Sequence, residues 1–579
     1  MPRPFDRYDT FGAALDNPSA GAVLEELVPE VVHSSLAAQL RDFPLGPFLE
    51  FALGADRARA TAVITALGDI ENTTPPLEES PAIIPRPDYE ADSVPPSSAA
   101  VHVVEGAEVN RPVELSFSGP AHGNPFVDVD LVAEFTLDAD SIDVGGFYDG
   151  DGRYVVRFLP AKAGMWQWVT RSNARSLDGI TGQVAVEESA HPGPVRVHDR
   201  FAFAHANGDV FTPVGTTAYA WLHQPEELQA RTLDTLAAAP FNKLRMCVFP
   251  KSFLYNANEP DDFAFPRADD GTWDTERFDV AFFRRLEERI GQLDELGIQA
   301  DVILFHPYDR WGFGRLGRVA DERYLTYVVR RLSGFPNVWW SLANEYELLT
   351  TKRPEDWHHL GRVVVREDHV GHLLSIHNWS ELFDYSAPWA THASIQRGDR
   401  ELGQKIDEWR FTWGKPVIVD ELGYEGDLDQ GWGNLTAEEV VERFWSATVR
   451  GGYVTHGETF YRDDEEIFWS KGGTLIGASP ARIDFLRRIV AESPTGRLEP
   501  LPSDWDVPWG GVAGQYAILY FGAKQPRFRD VTVPEGMTAT IELIDTWSMT
   551  VEQLPGVHDG VVRVQLPARP YMAIRLRRA

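Results

Sequence analysis

Apolar positions along the chain fall into three successive rhythms. The first is helical: "LDNPSAGAVLEEL" places Asn17 as an N-cap and Pro18 at the first helical position, with Val23, Leu24 and Leu27 following at helical spacing. A second helix is expected over 55–68, so residues 1–71 form a helical N-terminal segment. Residues 72–100, rich in Pro, Ser and acidic side chains, read as an extended linker. The second rhythm, over 101–190, has period two, as in "VELSFSG" and "YVVRFLP", and the Asp-Gly pair in "FYDGDGRYVVRF" marks a tight hairpin. Short alternating strands of this kind predict an immunoglobulin-like β-sandwich, with Trp166 and Trp168 as packing residues. Strands return over 498–579, where a second small β-sandwich is expected.

Between 195 and 495 strands and helices alternate. Strands are expected at 211–217, 241–249, 298–306, 337–344, 373–378, 391–396, 416–421 and 453–458. The run "NVWWSLAN" carries Val338, Trp339, Trp340 and Leu342, which predicts a strand buried on both faces. The clearest helices are 277–296, stopped by Gly297, and 321–333, where Leu325, Val328, Val329 and Leu332 form one stripe. Eight such units fit a (β/α)8 TIM barrel. A doubly wound open sheet is the competing arrangement, and the lack of a Gly-rich phosphate turn after any strand counts against it. The expected fold class is therefore a multidomain α/β chain, with a central barrel flanked by helices and a β-sandwich on one side and a β-sandwich on the other.

Composition narrows the function. A formal charge of −33 repels phosphate backbones and anionic lipid, so nucleic-acid and membrane-surface partners are not expected. No apolar run is long enough to span a bilayer, and "MPRPFDRYDT" does not begin a secretory signal. With a single cysteine, Cys247, these features lead to an expectation of a cytoplasmic protein without disulfides. Homo-oligomerisation is left open.

Barrels of this kind keep their working groups at the C-terminal ends of the strands. Reading those ends collects Arg245, His306, Asn344, Glu345, His377, Asn378, His392, Gln396, Asp420, Glu421, His456 and Glu458. So many polar groups on one face are costly to bury without purpose. The sharpest pair is Glu345 after the fourth strand and Glu421 after the seventh. Glycoside hydrolysis with retention needs two carboxyls about 5–5.5 Å apart. Asp420 points to the other side of its strand and is expected to be structural. Glu347 and Glu425 are expected to be loop acids facing solvent, with contact to substrate as the alternative, and Glu458 either binds a sugar hydroxyl or serves the fold. Trp221, Trp311, Trp379, Trp432 and Trp469 follow strands, where a ring either stacks on a ligand or packs the rim.

"WSLANEYE" followed by "KPVIVDELGYEG" resembles the signature of retaining clan A glycoside hydrolases, and the layout with "FTPVGTTAYAW" at the first strand is similar to their apiosidase-like branch. The resemblance implies that Glu345 is the general acid/base and Glu421 the nucleophile. It also implies that Asn344 bonds the sugar hydroxyl next to the anomeric carbon and that Arg245 keeps Glu421 ionised. Trp339, Trp340 and Tyr346 are expected to give Glu345 an apolar setting.

Histidines at several strand ends raise a rival, a metal-dependent amidohydrolase, but "FTPVGTT" has no His-x-His pair. His306, His377 and His392 are therefore expected to donate to sugar hydroxyls or to the carboxylates, and neither metal nor cofactor is expected. A carbohydrate-binding protein without catalysis is the second rival. The expected activity is that of an exo-acting retaining glycosidase on small oligosaccharides or glycosides, with loops 250–275 and 424–435 long enough to wall a pocket.

Overall fold

The computed structural model describes residues 3–579 except 55, 76, 78–80 and 505. Position 55 of the predicted second helix and positions 76 and 78–80 of the predicted linker lie outside the described residues. At the centre is an eight-stranded parallel sheet: β1 (Val214–Thr217), β2 (Lys243–Cys247), β3 (Gln299–Ile303), β4 (Val338–Ser341), β5 (Leu374–Ser375), β6 (Ala393–Gln396), β7 (Val417–Glu421) and β8 (Tyr453–Thr455). The neighbour order is β5-β4-β3-β2-β1-β8-β7-β6, a barrel closed between β8 and β1. Between β5 and β6 the ladder is replaced by a bridge at His377 and Ser394 and by hydrogen bonds from the Thr391 amide to the Leu374 carbonyl and from Ser375 Oγ to the His392 carbonyl. All eight expected strands are present, and the fold is a TIM barrel within a multidomain α/β chain.

Local sequence explains the outer ring. The helix Val280–Glu295 starts where the Asp279 side chain accepts from the Phe282 amide, and it buries Phe282, Phe283, Leu286, Ile290 and Leu293 against the barrel. The helix Arg318–Leu332 buries Leu325, Val328, Val329 and Leu332, the stripe seen in the sequence. On β4, all four side chains are buried.

Inside the barrel the packing is polar. Lys243, fully buried, lies 2.6 Å from Asp301 and 2.7 Å from Asp420. Asp420 also accepts from Ser394 Oγ at 2.6 Å and Thr455 Oγ1 at 2.7 Å. Asp420 thus has a structural place, and the adjacent cations Lys243 and Arg245, offsetting burial, hold its carboxyl far below the usual range.

Residues 100–187 form a five-stranded and a four-stranded antiparallel-rich pair of sheets, with Trp166 packed on Phe158 and Trp168 on Phe117 in the shared core. Buried Asp149 and Arg157 tie this sandwich to the barrel helices through Arg331 and Glu287. Residues 499–578 build a six-stranded sheet and a two-stranded one around Leu519, Val531, Ile541 and Ile574. The N-terminal helices, including Pro18–Leu27 capped by Asn17 and Leu45–Leu53, surround their own core of Phe11, Leu24, Phe48 and Val63. Among the described residues, no helix is long and apolar enough to cross a membrane.

Removing one member of a buried charge cluster leaves its partners uncompensated. Lys243→Met is expected to destabilise the barrel by about 3–5 kcal/mol, read as a lower denaturant midpoint at unchanged slope.

Candidate active site

Glu345 lies four residues beyond β4 and Glu421 is the last residue of β7, and both are buried. They meet at one side chain. With its amide oriented to place nitrogen on the acceptors, Gln396 at the end of β6 donates to Glu345 Oε1 at 3.0 Å and Glu421 Oε2 at 3.3 Å. The two carboxylate oxygens can therefore be no further apart than these two lengths laid end to end, about 6.3 Å. Asn378 Oδ1 accepts from the Gln396 backbone amide at 3.0 Å and so fixes the bridging residue.

A chain of hydrogen bonds runs from the barrel interior to the pair. Arg245 Nη2 donates to Asn344 Oδ1 at 3.1 Å, and Asn344 Nδ2 donates to Glu345 Oε2 at 3.3 Å. The Tyr219 hydroxyl donates to Glu421 Oε1, and Tyr308 bonds Glu345. Burial, followed by the charge of Glu421, pushes the Glu345 carboxyl up to about 8. Its backbone is left-handed, with φ 49° and ψ 56°, a conformation unfavourable for a non-glycine residue and frequent at functional sites.

The pair opens into a cavity of about 540 Å³, a size suited to a small ligand. Trp432 and Trp469 line it with ring centroids 4.9 Å apart. Lys251 also lines it, its ammonium 3.8 Å from the Tyr219 ring, 4.4 Å from Tyr308 and 4.6 Å from Trp469. Burial lowers the Lys251 pKa.

Of the residues expected at the site, Glu345, Glu421, Gln396, Trp432 and Trp469 line the cavity, while Asn344, Arg245 and Asn378 support them from behind. Arg245 touches Asn344, and the side chains that bond Glu421 are Tyr219 and Gln396. Four expectations are corrected. His392 stands at the N-terminal end of β6, packed on Phe203 and Trp339, and burial lowers its pKa to about 3. His306 bonds the Phe249 carbonyl at 3.0 Å, with burial lowering its pKa to about 4. His377 is wholly buried, and neither ring nitrogen has a hydrogen-bond partner. Glu458 does not line the cavity; it accepts from the Ile476 and Gly477 amides at 2.7 and 2.8 Å.

Glu347 and Glu425, expected in solvent, are buried because backbone amides satisfy them. Glu347 accepts from Trp379, Ser380 and Glu381, and Glu425 from Ala478 and Ser479. The apolar setting of Glu345 also differs from expectation. Trp339 packs with Phe203 and Phe211, Trp340 donates to Asp368, and Tyr346 faces Phe383. Among the described residues one trio could gather ligand atoms for a metal, Glu425, His456 and Glu458, within 4.8 Å of one another. Both its carboxylates are already engaged by the 476–479 amides, which gives them a structural task.

Tyr219, Lys251 and Tyr308 were not singled out from the sequence. Each lies two to five residues past the end of β1, β2 or β3. The usable signal was aromatic and basic side chains in the first residues beyond a barrel strand.

A parallel barrel that holds two glutamates over one cavity at the ends of its fourth and seventh strands has the architecture of a glycoside hydrolase. Residues 198–461 match the family described as "Apiosidase-like, catalytic domain", and residues 107–173 and 505–577 match two domains of unknown function, DUF5060 and DUF5605. A protein of Bacteroides vulgatus ATCC 8482, described as a candidate glycoside hydrolase, is 37% identical, with a TM-score of 0.78 over 82% of this chain and 99% of that one. This chain belongs to the apiosidase-like glycoside hydrolases. A structure named "Glycoside hydrolase" (14% identity, TM-score 0.53, 67% of this chain and 97% of that one) shares the fold. So does a glycoside hydrolase family 5 protein of B. vulgatus ATCC 8482 (16% identity, TM-score 0.52, 67% and 93%). Among curated proteins, none matches.

Hydrogen bonds to charged groups contribute about 1.5–3 kcal/mol. Tyr219→Phe is therefore expected to lower kcat/KM for glycoside hydrolysis by roughly 10- to 150-fold, measured by steady-state kinetics.

Proposed function

We propose that this enzyme is a retaining, exo-acting glycosidase that cleaves one sugar from a small glycoside or oligosaccharide by double displacement. The observation that carries this reading is the Gln396 amide shared by both carboxylates, which keeps one oxygen of each within about 6.3 Å of the other. Inverting enzymes need about 6.5–9.5 Å between the carboxyls to admit a water, whereas retaining ones use about 5–5.5 Å.

In the first step a Glu421 oxygen bonds the anomeric carbon as the glycosidic C–O bond breaks, and Glu345 gives its proton to the departing oxygen. In the second step water attacks the anomeric carbon, Glu345 takes the water proton, and the bond to Glu421 breaks. Burial suits Glu345 to the first step because it keeps the acid protonated at neutral pH. Tyr219 and Gln396 hold the Glu421 carboxylate toward the sugar. Asn344, anchored by Arg245, is placed to meet the hydroxyl beside the anomeric carbon. Tyr424, close to Glu421, packs with Trp432 and Trp469 in the cavity wall and crowds that side, which favours a single bound sugar and hence exo action.

A panel of aryl pyranosides and furanosides of both configurations identifies the sugar, and NMR of the first-formed product reads the stereochemistry. The retained anomer is expected; the inverted anomer overturns the mechanism. Glu421→Ala is expected to lower kcat on the order of 10⁴-fold. Unimpaired turnover by that variant removes the assigned nucleophile.

Glu345 must be protonated for the first step. Its pKa is raised, so kcat/KM is expected to hold at neutral pH and fall as pH rises through about 8. A pH–rate profile of wild-type protein checks this, and an activity that climbs steadily through pH 9 contradicts it.

A further inference from the structure

The N-terminal helices reach the active-site cavity. Leu40 and Phe43, and Phe51 on the helix Leu45–Leu53, line it together with Trp379 from the loop after β5 and Leu348 from the segment after β4. Phe43 meets Trp379 edge-on at 5.7 Å, and Phe51 lies 6.1 Å from the same ring. Ion pairs fasten the helices to these two barrel segments. Arg353 lies 2.5 Å from Asp6 and 2.6 Å from Asp9, and Arg7 lies 2.8 Å from Glu381. This helical segment lies outside every family match, which together span 107–173, 198–461 and 505–577.

The side of the cavity these residues occupy follows from the chemistry. A general acid protonates the departing oxygen, so the leaving group lies on the Glu345 side. Trp379 is tied to that side, because its amide donates at 2.8 Å to Glu347, two residues past Glu345. Tyr424 stands near Glu421 and the sugar, while Tyr308, which bonds Glu345, and Lys251 are the polar groups beside Glu345. On the Glu345 side, Leu40, Phe43, Phe51, Leu348 and Trp379 are all apolar. Away from Tyr308 and Lys251, the wall around Trp379 offers ring faces and no charged or hydroxyl side chains, which suits an apolar group better than a second sugar. Phe51 remains 57% exposed, a large ring at the mouth with one face uncovered.

We propose that Phe43, Phe51 and Trp379 form a leaving-group subsite for a flat, apolar aglycone such as an aromatic alcohol, which makes the N-terminal helices a specificity element of the enzyme. The proposal rests on the glycosidase reading above.

The test uses the full chain and two substrates that share the sugar identified by the panel, its 4-nitrophenyl glycoside and its methyl glycoside. An aromatic contact contributes enough for a several-fold effect. Phe51→Ala is expected to lower the ratio of kcat/KM for aryl over methyl substrate by about three- to tenfold, and Phe51→Tyr to restore it. In a Glu345→Gln background, calorimetric Kd for the aryl glycoside is expected to weaken by the same factor on adding Phe51→Ala. An unchanged ratio, or an equal fall on both substrates, overturns the subsite while leaving the glycosidase reading intact. Absence of turnover of any glycoside by wild-type protein overturns both.

Discussion

A lysine ammonium held between two carboxylates in the middle of the barrel supports everything above it. Lys243, Asp301 and Asp420 come from three different strands, so their attraction ties β2, β3 and β7 together where an apolar core would do so without direction. The cluster also sets the charge of the layer above. Arg245 stands 3.7 Å from Asp301 and passes its own hydrogen bond to Asn344, which bonds Glu345. Asp420, paired below, is directly followed by Glu421, which faces the cavity. The same strand thus carries one carboxylate fixed inside the barrel and, where its register with β6 shifts at Gln396, one that lines the cavity.

The two glutamates have been given different surroundings. Glu345 sits in a left-handed turn, deep among rings and close to the charge of Glu421, so its neutral form is favoured. Glu421 receives donors from Tyr219 and Gln396. Unlike environments around two like groups separate their affinities for a proton. Gln396 reaches both, and so links the two carboxylates into one positioned unit.

Much of this was legible before any coordinates. The fourth and seventh barrel strands lie in short apolar runs, and the two glutamates follow those runs where a barrel places its chemistry. The errors have common physical causes. His392 stands at the wrong end of β6 for such a role: the strand is only four residues long, and His392 just before it and Gln396 at its end are both polar. Glu347 and Glu425 looked exposed because a sequence does not show the backbone amides that come from 32 or more residues away to satisfy them. Tyr219, Lys251 and Tyr308 lie on loops, whose paths follow no period. The contact of Phe43 and Phe51 with Trp379 joins segments more than 300 residues apart, and nothing local encodes it.

The left-handed turn at Glu345 has a consequence for how such a protein changes over time. A side chain there strains the backbone, while glycine adopts the same angles freely. Selection for a sturdier molecule alone would thus favour glycine there and remove one of the two carboxyls that line the cavity. Improvement of heat tolerance by random variation would drift toward an inert sugar-holding shell unless activity were screened alongside.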